Sequence, residues 1–195
     1  MAIAASKGGL NAIGQILSAL PSDFPAAIAI VQHSSPLYPS YLAEILGYRT
    51  KLRVKNAEAG ELLRPGTVYV AVPNKHLVVN PNGKLSLSSA AKVNFVRPSA
   101  NVLFQSVATS YQRRAIAVVL SGKDSDGLLG VLAIKKHGGI AIAQNEATCE
   151  CFDMPKAVIN TGKVDFVLPP NAIGSTLYDL IMTPQAAQRL MVDSC

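Results

Sequence analysis

The chain has 195 residues, of which 49% are hydrophobic and only 15% are charged, and its formal net charge is +6. This length and apolar content predict a domain with a sizeable core and exclude a disordered chain. The longest apolar runs fall far short of the about 20 residues that a membrane-spanning helix needs, so we expect no membrane insertion. The Lys and Arg residues are scattered and Trp is absent. This argues against nucleic acid as the partner and favours an acidic protein.

The cysteine pattern bears on compartment and on metal binding. The three cysteines are Cys149, Cys151 and Cys195. An odd count is a poor disulfide framework, and Cys-x-Cys has no second ligand pair at the spacing of a zinc finger. The first residues also lack a basic leader of the kind that precedes a signal peptide. We therefore expect reduced thiols, no bound metal and a cytoplasmic location.

Short apolar runs alternate with amphipathic stretches along the chain. The first half predicts, in order, a strand at 2–5, a helix at 10–20, a strand at 26–31, a helix at 39–48, strands at 52–55 and 67–72, and a hairpin of 77–79 with 84–87. The second half predicts a helix at 99–111, a strand at 115–120, a helix at 125–136, a strand at 140–143, a helix at 155–160, a strand at 164–168 and a helix at 171–181.

This alternation predicts the fold class. Continuous apolar strands separated by helices indicate an α/β domain with a doubly wound, mostly parallel sheet, helices on both faces and a small β-hairpin. We expect the domain to span 1–182 and to be followed by a C-terminal tail, 183–195. In such sheets ligands bind outside the carboxyl ends of the strands, so the residues that follow each strand are the candidates for function.

Polar side chains follow three of the predicted strands. Ser6 follows the first, His33 follows the second, and Asp124 and Asp126 follow the strand at 115–120. A serine activated by an imidazole, which a carboxylate in turn orients, is the arrangement used for nucleophilic acyl transfer. A sharp strand-to-helix turn would present the serine and leave backbone amides for an oxyanion. The pattern does not choose between the two aspartates.

Each of these residues also has a structural interpretation. Ser6 could be a helix N-cap, His33 a structural histidine, and the two aspartates helix caps. Gly8-Gly9 could belong to a phosphate loop of a nucleotide-binding protein, although neither common glycine-rich phosphate motif is present. The other histidines, His76 and His137, are interpreted as structural: the first begins a hairpin strand, and the second ends a helix.

Several ordered blocks of sequence are similar to one known family, the catalytic domain of the chemotaxis protein-glutamate methylesterase CheB. The blocks that carry the resemblance are Ala5-Ser6-Lys7-Gly8-Gly9-Leu10, Ile30-Val31-Gln32-His33, Arg97-Pro98-Ser99, Leu120-Ser121-Gly122 with Asp126-Gly127, Ala143-Gln144-Asn145-Glu146 and Met154-Pro155-Lys156-Ala157. The resemblance implies a triad of Ser6, His33 and Asp126, which selects Asp126 over Asp124. It further implies hydrolysis of glutamate methyl esters, and often deamidation of glutamines, on chemoreceptor cytoplasmic helices without metal or organic cofactor.

The sequence departs from the family pattern at several positions. Lys7 replaces the usual Thr, Lys123-Asp124 replaces Met-Gly, and Asn101 stands where Asp is common. The segment Cys149-Glu150-Cys151 replaces small or apolar residues. Except for Asn101, these positions are expected near the mouth of the cleft, where Lys7 and Lys123 would favour an anionic substrate. The alternative function is a non-catalytic or altered-specificity binding module in a signalling pathway.

Family members usually carry an N-terminal receiver domain that blocks the active site until it is phosphorylated. This sequence begins at the first catalytic strand, so we expect no receiver domain in the chain, which is either a stand-alone esterase or a fragment of a longer polypeptide. A separate response-regulator receiver domain is then a candidate partner, together with the methylated chemoreceptor.

Overall fold

A seven-stranded parallel sheet forms the centre of the molecule. The computed structural model describes residues 1–34 and 40–182. The nine strands are β1 (Ala2–Ala5), β2 (Ile28–Gln32), β3 (Arg53–Asn56), β4 (Thr67–Val70), β5 (His76–Val79), β6 (Leu85–Ser88), β7 (Ile116–Val119), β8 (Ile140–Gln144) and β9 (Phe166–Leu168). The strand order in the sheet is β3-β4-β2-β1-β7-β8-β9, and every pairing in it is parallel. Strands β5 and β6 form a separate antiparallel hairpin.

Helices cover both faces of this sheet. They are α1 (Gly9–Ser18), α2 (Leu42–Gly47), α3 (Ala100–Tyr111), α4 (Leu128–Lys136), α5 (Asp153–Ile159) and α6 (Pro170–Met182). Helices α1, α2 and α6 pack on one face, whereas α3, α4, α5 and the hairpin pack on the other. The predicted α/β fold is confirmed. Apart from Gln32 at the end of β2, strands β1, β2 and β7 consist of Ala, Ile and Val, as expected for strands buried on both faces.

The direction of winding reverses beside β1. The chain places β2, β3 and β4 on one side of β1, with β4 between β2 and β3, and then crosses back to add β7, β8 and β9 on the other side. Strand β1 therefore lies between β2 and β7, and the carboxyl ends of all three strands meet at one edge. This switch point is where an open α/β sheet leaves a crevice for a ligand.

Most element boundaries agree with the prediction within a few residues, and the clearest difference is at α4. The predicted helix begins at residue 125, but α4 begins at Leu128. Asp124 and Gly127 have φ angles of 75° and 104°, which are incompatible with a right-handed helix. The start of the helix predicted at 39–48 and the predicted tail lie outside the described residues. None of the helices in the described ranges combines the length and apolar character that crossing a bilayer requires.

Candidate active site

Three loops meet at the carboxyl edge of β1, β2 and β7. Ala5 is the register partner of Gln32 in the β1–β2 pair, so Ser6 and His33 are the next residues on neighbouring strands. The His33 amide donates to the Ala5 carbonyl at 3.0 Å, and the Ser6 amide donates to the Ser121 carbonyl at 2.9 Å. These backbone bonds bring the serine and the imidazole to the same edge, as their positions after strands predict.

The imidazole of His33 contacts a buried carboxylate. Its Nε2 atom lies 2.9 Å from Oδ2 of Asp126, which is only 1% exposed. Asp126 follows β7, on the opposite side of β1 from His33. The residue pattern left Asp124 and Asp126 as alternatives and the family resemblance selected Asp126; the direct hydrogen bond in the structure is to Asp126.

Asp126 also accepts hydrogen bonds at the N-terminus of α3. The Ser99 hydroxyl donates to Oδ1 at 2.8 Å, and the amides of Ala100 and Asn101 donate to the carboxylate at 2.5 and 3.1 Å. Burial raises the pKa of Asp126, but the bonds from His33 and from these three groups outweigh it, so the net pKa is lowered. The carboxylate is therefore held ionised, with the helix N-terminus as an additional stabilising dipole.

His76 contacts the segment that binds Asp126. It is fully buried, and its Nδ1 atom accepts the Ser99 amide at 3.2 Å. Its Nε2 atom lies 3.0 Å from the carbonyl oxygen of Ala91, which requires Nε2 to carry the proton. These contacts agree with the structural interpretation of His76. They also show that His76 positions Ser99, which binds Asp126. No role for Ser99 was predicted, although it is the first residue of the helix predicted at 99–111, where a serine is a common capping residue.

The backbone at Ser6 is fixed from two sides. Its carbonyl oxygen accepts a hydrogen bond from Nε2 of Gln32 at 2.6 Å. On the other side Gly122 approaches so closely that an added Cβ would lie 2.7 Å from the Ser6 Cβ. The residue that caps α1 is Gly8, and no side chain caps that helix, which excludes the N-cap interpretation of Ser6. Among the described residues, the Ser6 hydroxyl donates no hydrogen bond to the imidazole; triad hydrogen bonds often tighten only with substrate bound.

Asp124 faces the other nitrogen of the same imidazole. Its Oδ2 atom lies 3.7 Å from Nδ1 of His33, and its Oδ1 atom accepts the Asp126 amide at 2.6 Å. Unlike Asp126, Asp124 is substantially exposed. The hydrogen bond from the Asp126 amide closes a local turn of a kind that aspartate side chains commonly form. Asp124 therefore helps to fix the backbone of this loop.

The two lysines of the prediction differ in their surroundings. Lys7 follows Ser6 and pairs with Glu150, with Nζ and Oε1 3.4 Å apart and both side chains more than half exposed. Such exposed pairs are weak, so Lys7 can exchange Glu150 for another anion. Lys123 is exposed in the loop that leads from β7 to Asp126.

Ser121 connects the three loops around Ser6, and it was not predicted as a functional residue. Its hydroxyl donates to the Lys7 carbonyl at 2.7 Å and accepts the Cys151 amide at 3.0 Å. The segment 149–151 therefore lies close to Ser6, as expected. Burial, with smaller contributions from Cys151 and Glu146, raises the pKa of the Cys149 thiol to about 11, so this thiol is not a nucleophile at neutral pH.

A small cavity opens beside His33. Its volume is about 90 Å³, and its walls include His33, Lys92, Phe95, Val96 and Pro98. Within residues 1–34 and 40–182, no group of three or more His, Cys, Asp and Glu side chains is arranged to hold a metal ion. The site thus combines a serine, a histidine paired with a buried carboxylate, and an adjacent cavity with one apolar and one polar, positively charged side.

A family model and a solved structure match this chain. Residues 1–177 match the family model described as CheB methylesterase. The chain is 39% identical to a chain of the crystal structure of the Thermotoga maritima CheB methylesterase catalytic domain, with a TM-score of 0.89. That match covers 92% of this chain and 97% of the other.

Curated relatives agree with the structural match. Protein-glutamate methylesterase FrzG of Myxococcus xanthus is 41% identical over 177 residues, which are 91% of this chain and 53% of the relative. A protein-glutamate methylesterase/protein-glutamine glutaminase of Thermotoga maritima is 40% identical over 182 residues, or 92% of this chain and 53% of the relative. The chain therefore spans about half the length of these relatives. On the family match and the shared fold, the chain belongs to the CheB methylesterase family.

Proposed function

We propose that this domain is a serine esterase that hydrolyses glutamate methyl esters, and deamidates glutamines, on the cytoplasmic helices of chemoreceptors. The observation that carries the proposal is the hydrogen bond between His33 and buried Asp126 at the sheet edge where Ser6 also lies. Several of the relatives that the chain matches are named for both activities, and FrzG is named for the first alone. Because the proposed substrate is the cytoplasmic part of a receptor, we place the domain in the cytoplasm. Its proposed role is in the adaptation of chemotaxis.

The proposed reaction is an acyl transfer in two steps. Ser6 Oγ attacks the ester carbonyl carbon while His33 takes the hydroxyl proton, and the C–O bond to the methoxy group then breaks. His33 returns the proton to the leaving methanol, and a glutamyl ester of Ser6 remains. Water, deprotonated by His33, then attacks this ester and releases the glutamate carboxylate and Ser6. For glutamine the same steps release ammonia in place of methanol.

The hydrogen bonds of Asp126 support this role of His33. With Nε2 donating to Asp126, Nδ1 is the nitrogen left to accept the serine proton. The low pKa of Asp126 keeps its charge available for the imidazolium that forms in the reaction. The ester oxygen becomes negative in the same step. Among the described residues, the amides of Lys7 and Gly8 donate to no acceptor, so they are available to stabilise it.

Lys7 and Lys123 are the proposed substrate contacts at the mouth of the site. Both are exposed cations, so they would suit an acidic partner such as the receptor helices that the resemblance implies. The domain's net charge of +6 favours the same partner. A receiver domain of a response regulator is a second proposed partner.

Membranes containing methyl-labelled chemoreceptor test the proposal. We expect the wild-type domain to release labelled methanol and the Ser6→Ala variant to release none. Full release by Ser6→Ala would exclude the mechanism. The alternative function is a binding module. It is supported by the lysines near Ser6 and by the fact that, among the described residues, the Ser6 hydroxyl donates no hydrogen bond to His33. Covalent labelling of Ser6 by a serine-directed phosphonate supports the esterase, and a folded protein that never labels there supports the binding module.

A further inference from the structure

A tight turn next to the active site contains an unusual residue. Val93 and Val96 exchange two backbone hydrogen bonds, of 3.1 and 3.0 Å, around the central residues Asn94 and Phe95. The φ angles of these central residues are 49° and 65°. Positive φ at both central positions defines a type I′ turn, for which Asn-Gly is a strongly preferred sequence.

Phe95 occupies the position that glycine prefers in this turn. A bulky side chain with positive φ is a conformational outlier, so the turn itself gains nothing from the phenylalanine. The side chain does not contribute to the core either, because it is 94% exposed. Neither backbone conformation nor packing of the described residues accounts for an aromatic ring here.

The turn places Phe95 next to His33. Phe95 lines the same cavity as His33, together with Lys92, Val96 and Pro98. The cavity of about 90 Å³ has room for one side chain, since a single water needs only about 10–15 Å³ by a comparable measure. Phe95, Val96 and Pro98 form an apolar side of the cavity, whereas the other lining residues are polar or positively charged: His33, Ser34, Lys92 and Arg97.

Arg97 anchors this turn to the rest of the protein. Its guanidinium donates to Oδ1 of Asn74 at 2.7 and 3.0 Å and to the carbonyl oxygens of Ser89 and Ala90, both at 2.8 Å. Two residues further on, Ser99 donates to Asp126. The same short segment therefore holds the carboxylate of the site at one end and presents Phe95 at the other.

We propose that Phe95 is a specificity-determining residue that contacts an apolar side chain of the substrate protein beside the esterified glutamate. That side chain enters the cavity next to His33, while Lys92 faces the acidic residues around it. This inference rests on the proposed esterase function, because it concerns recognition of the same substrate. It predicts that Phe95 contributes to turnover of the protein substrate and not to turnover of a small ester.

The Phe95→Gly variant tests this inference without endangering the fold. It creates the preferred Asn-Gly turn, so its thermal midpoint should be equal to or above that of the wild type. We expect its kcat/KM on methyl-labelled receptor membranes to fall about 10-fold, mainly through KM, as for loss of a buried aromatic contact. Hydrolysis of p-nitrophenyl acetate should be unchanged. Phe95→Leu, which keeps an apolar side chain, should recover most of the receptor activity.

Tyr48→Ala is the matched control, because Tyr48 is 83% exposed and does not line the cavity. It should retain full activity on both substrates. If the wild type turns over receptor and Phe95→Gly does so equally well, this inference is wrong and the esterase function stands. An equal loss on p-nitrophenyl acetate would also overturn it. If the wild type releases no methanol that depends on Ser6, the proposed function fails and this inference fails with it.

Discussion

The Nε2 atom of His33 lies 2.9 Å from the Oδ2 atom of Asp126, although 93 positions separate the two residues in the sequence. The carboxylate receives four hydrogen bonds, from this imidazole, a serine hydroxyl and two amides at the start of α3. Since so many donors surround it, the orientation of Asp126 and therefore that of the imidazole is fixed before substrate binds. Such preorganisation is what a catalytic base requires.

The two aspartates near His33 should differ sharply in their effect on activity. We expect Asp126→Asn to lower kcat for ester hydrolysis by about 10³–10⁴-fold, because an amide at this position no longer stabilises the correct tautomer and the imidazolium. Asp124→Asn should stay within a few-fold of the wild type, since Asp124 is exposed and 3.7 Å from the ring. Methanol release from labelled receptor membranes measures both.

Circular dichroism is the control for these aspartate variants, because both must be folded at the assay temperature. A larger loss for Asp124→Asn than for Asp126→Asn would contradict the assignment. It would mean that the exposed carboxylate is the one that orients the base.

The lowered pKa of Asp126 predicts how stability depends on pH. A carboxylate whose pKa in the folded state lies below its ordinary value of 3.8 stabilises the fold above that value. This stabilisation is lost as the pH falls through the lower, folded-state pKa. We therefore expect the free energy of unfolding of the wild type to decrease from pH 5 to pH 3 more steeply than that of Asp126→Asn. Urea denaturation at a series of pH values measures both slopes, and parallel curves would show that Asp126 is not the group responsible.

The sequence predicted the sheet and the edge that carries the site. Apolar strands alternating with helices require parallel pairing, and parallel pairing brings the residues after each strand to one edge. For this reason the sequence alone identified the candidates, which are Ser6, His33, Asp124 and Asp126. The strand pattern did not choose between Asp124 and Asp126, because both follow the same strand; the family resemblance selected Asp126, and the backbone conformation explains why that carboxylate turns inward.

The supporting residues could not be predicted in the same way. Ser99, His76 and Ser121 act through contacts between loops that are distant in the sequence, and no periodic pattern records such contacts. The turn at Phe95 was also missed, since Asn-Phe is not a usual type I′ sequence. What sequence patterns predict well is the position of backbone elements. How irregular segments pack against one another depends on the complete fold.

Gly122 should be intolerant of any side chain. A Cβ at this position would lie 2.2 Å from Sδ of Met154 and 2.7 Å from the Ser6 Cβ. We expect Gly122→Ala to lower the free energy of unfolding by about 1–3 kcal/mol through overpacking. It should also reduce esterase activity, because relief of the clash must displace Ser6. Thermal unfolding and methanol release measure the two effects.

Gly47→Ala provides the matched control for Gly122→Ala. Gly47 is the last residue of α2, and among the residues that the structure describes a Cβ there would meet only Val54, at 4.0 Å. Alanine is favoured over glycine in a helix, so this variant should gain about 0.5–1 kcal/mol and keep full activity. Wild-type stability and turnover in Gly122→Ala would mean that the loop carrying Gly122 can move away from Ser6.

Asn101 connects α3 with α4, and its loss should lower the free energy of unfolding. Its side-chain oxygen accepts the amides of Gly127 and Gly130 at 3.1 and 2.9 Å, and so caps α4 from the start of α3. The residue is 2% exposed, so Asn101→Ala leaves two buried amides unpaired. We expect a loss of about 1–2 kcal/mol in the free energy of unfolding, as for removal of a helix cap. Asn11→Ala, which removes only an exposed contact to Arg49, should change it by less than about 0.5 kcal/mol. Equal urea midpoints for the two variants would show that Asn101 does not stabilise α4.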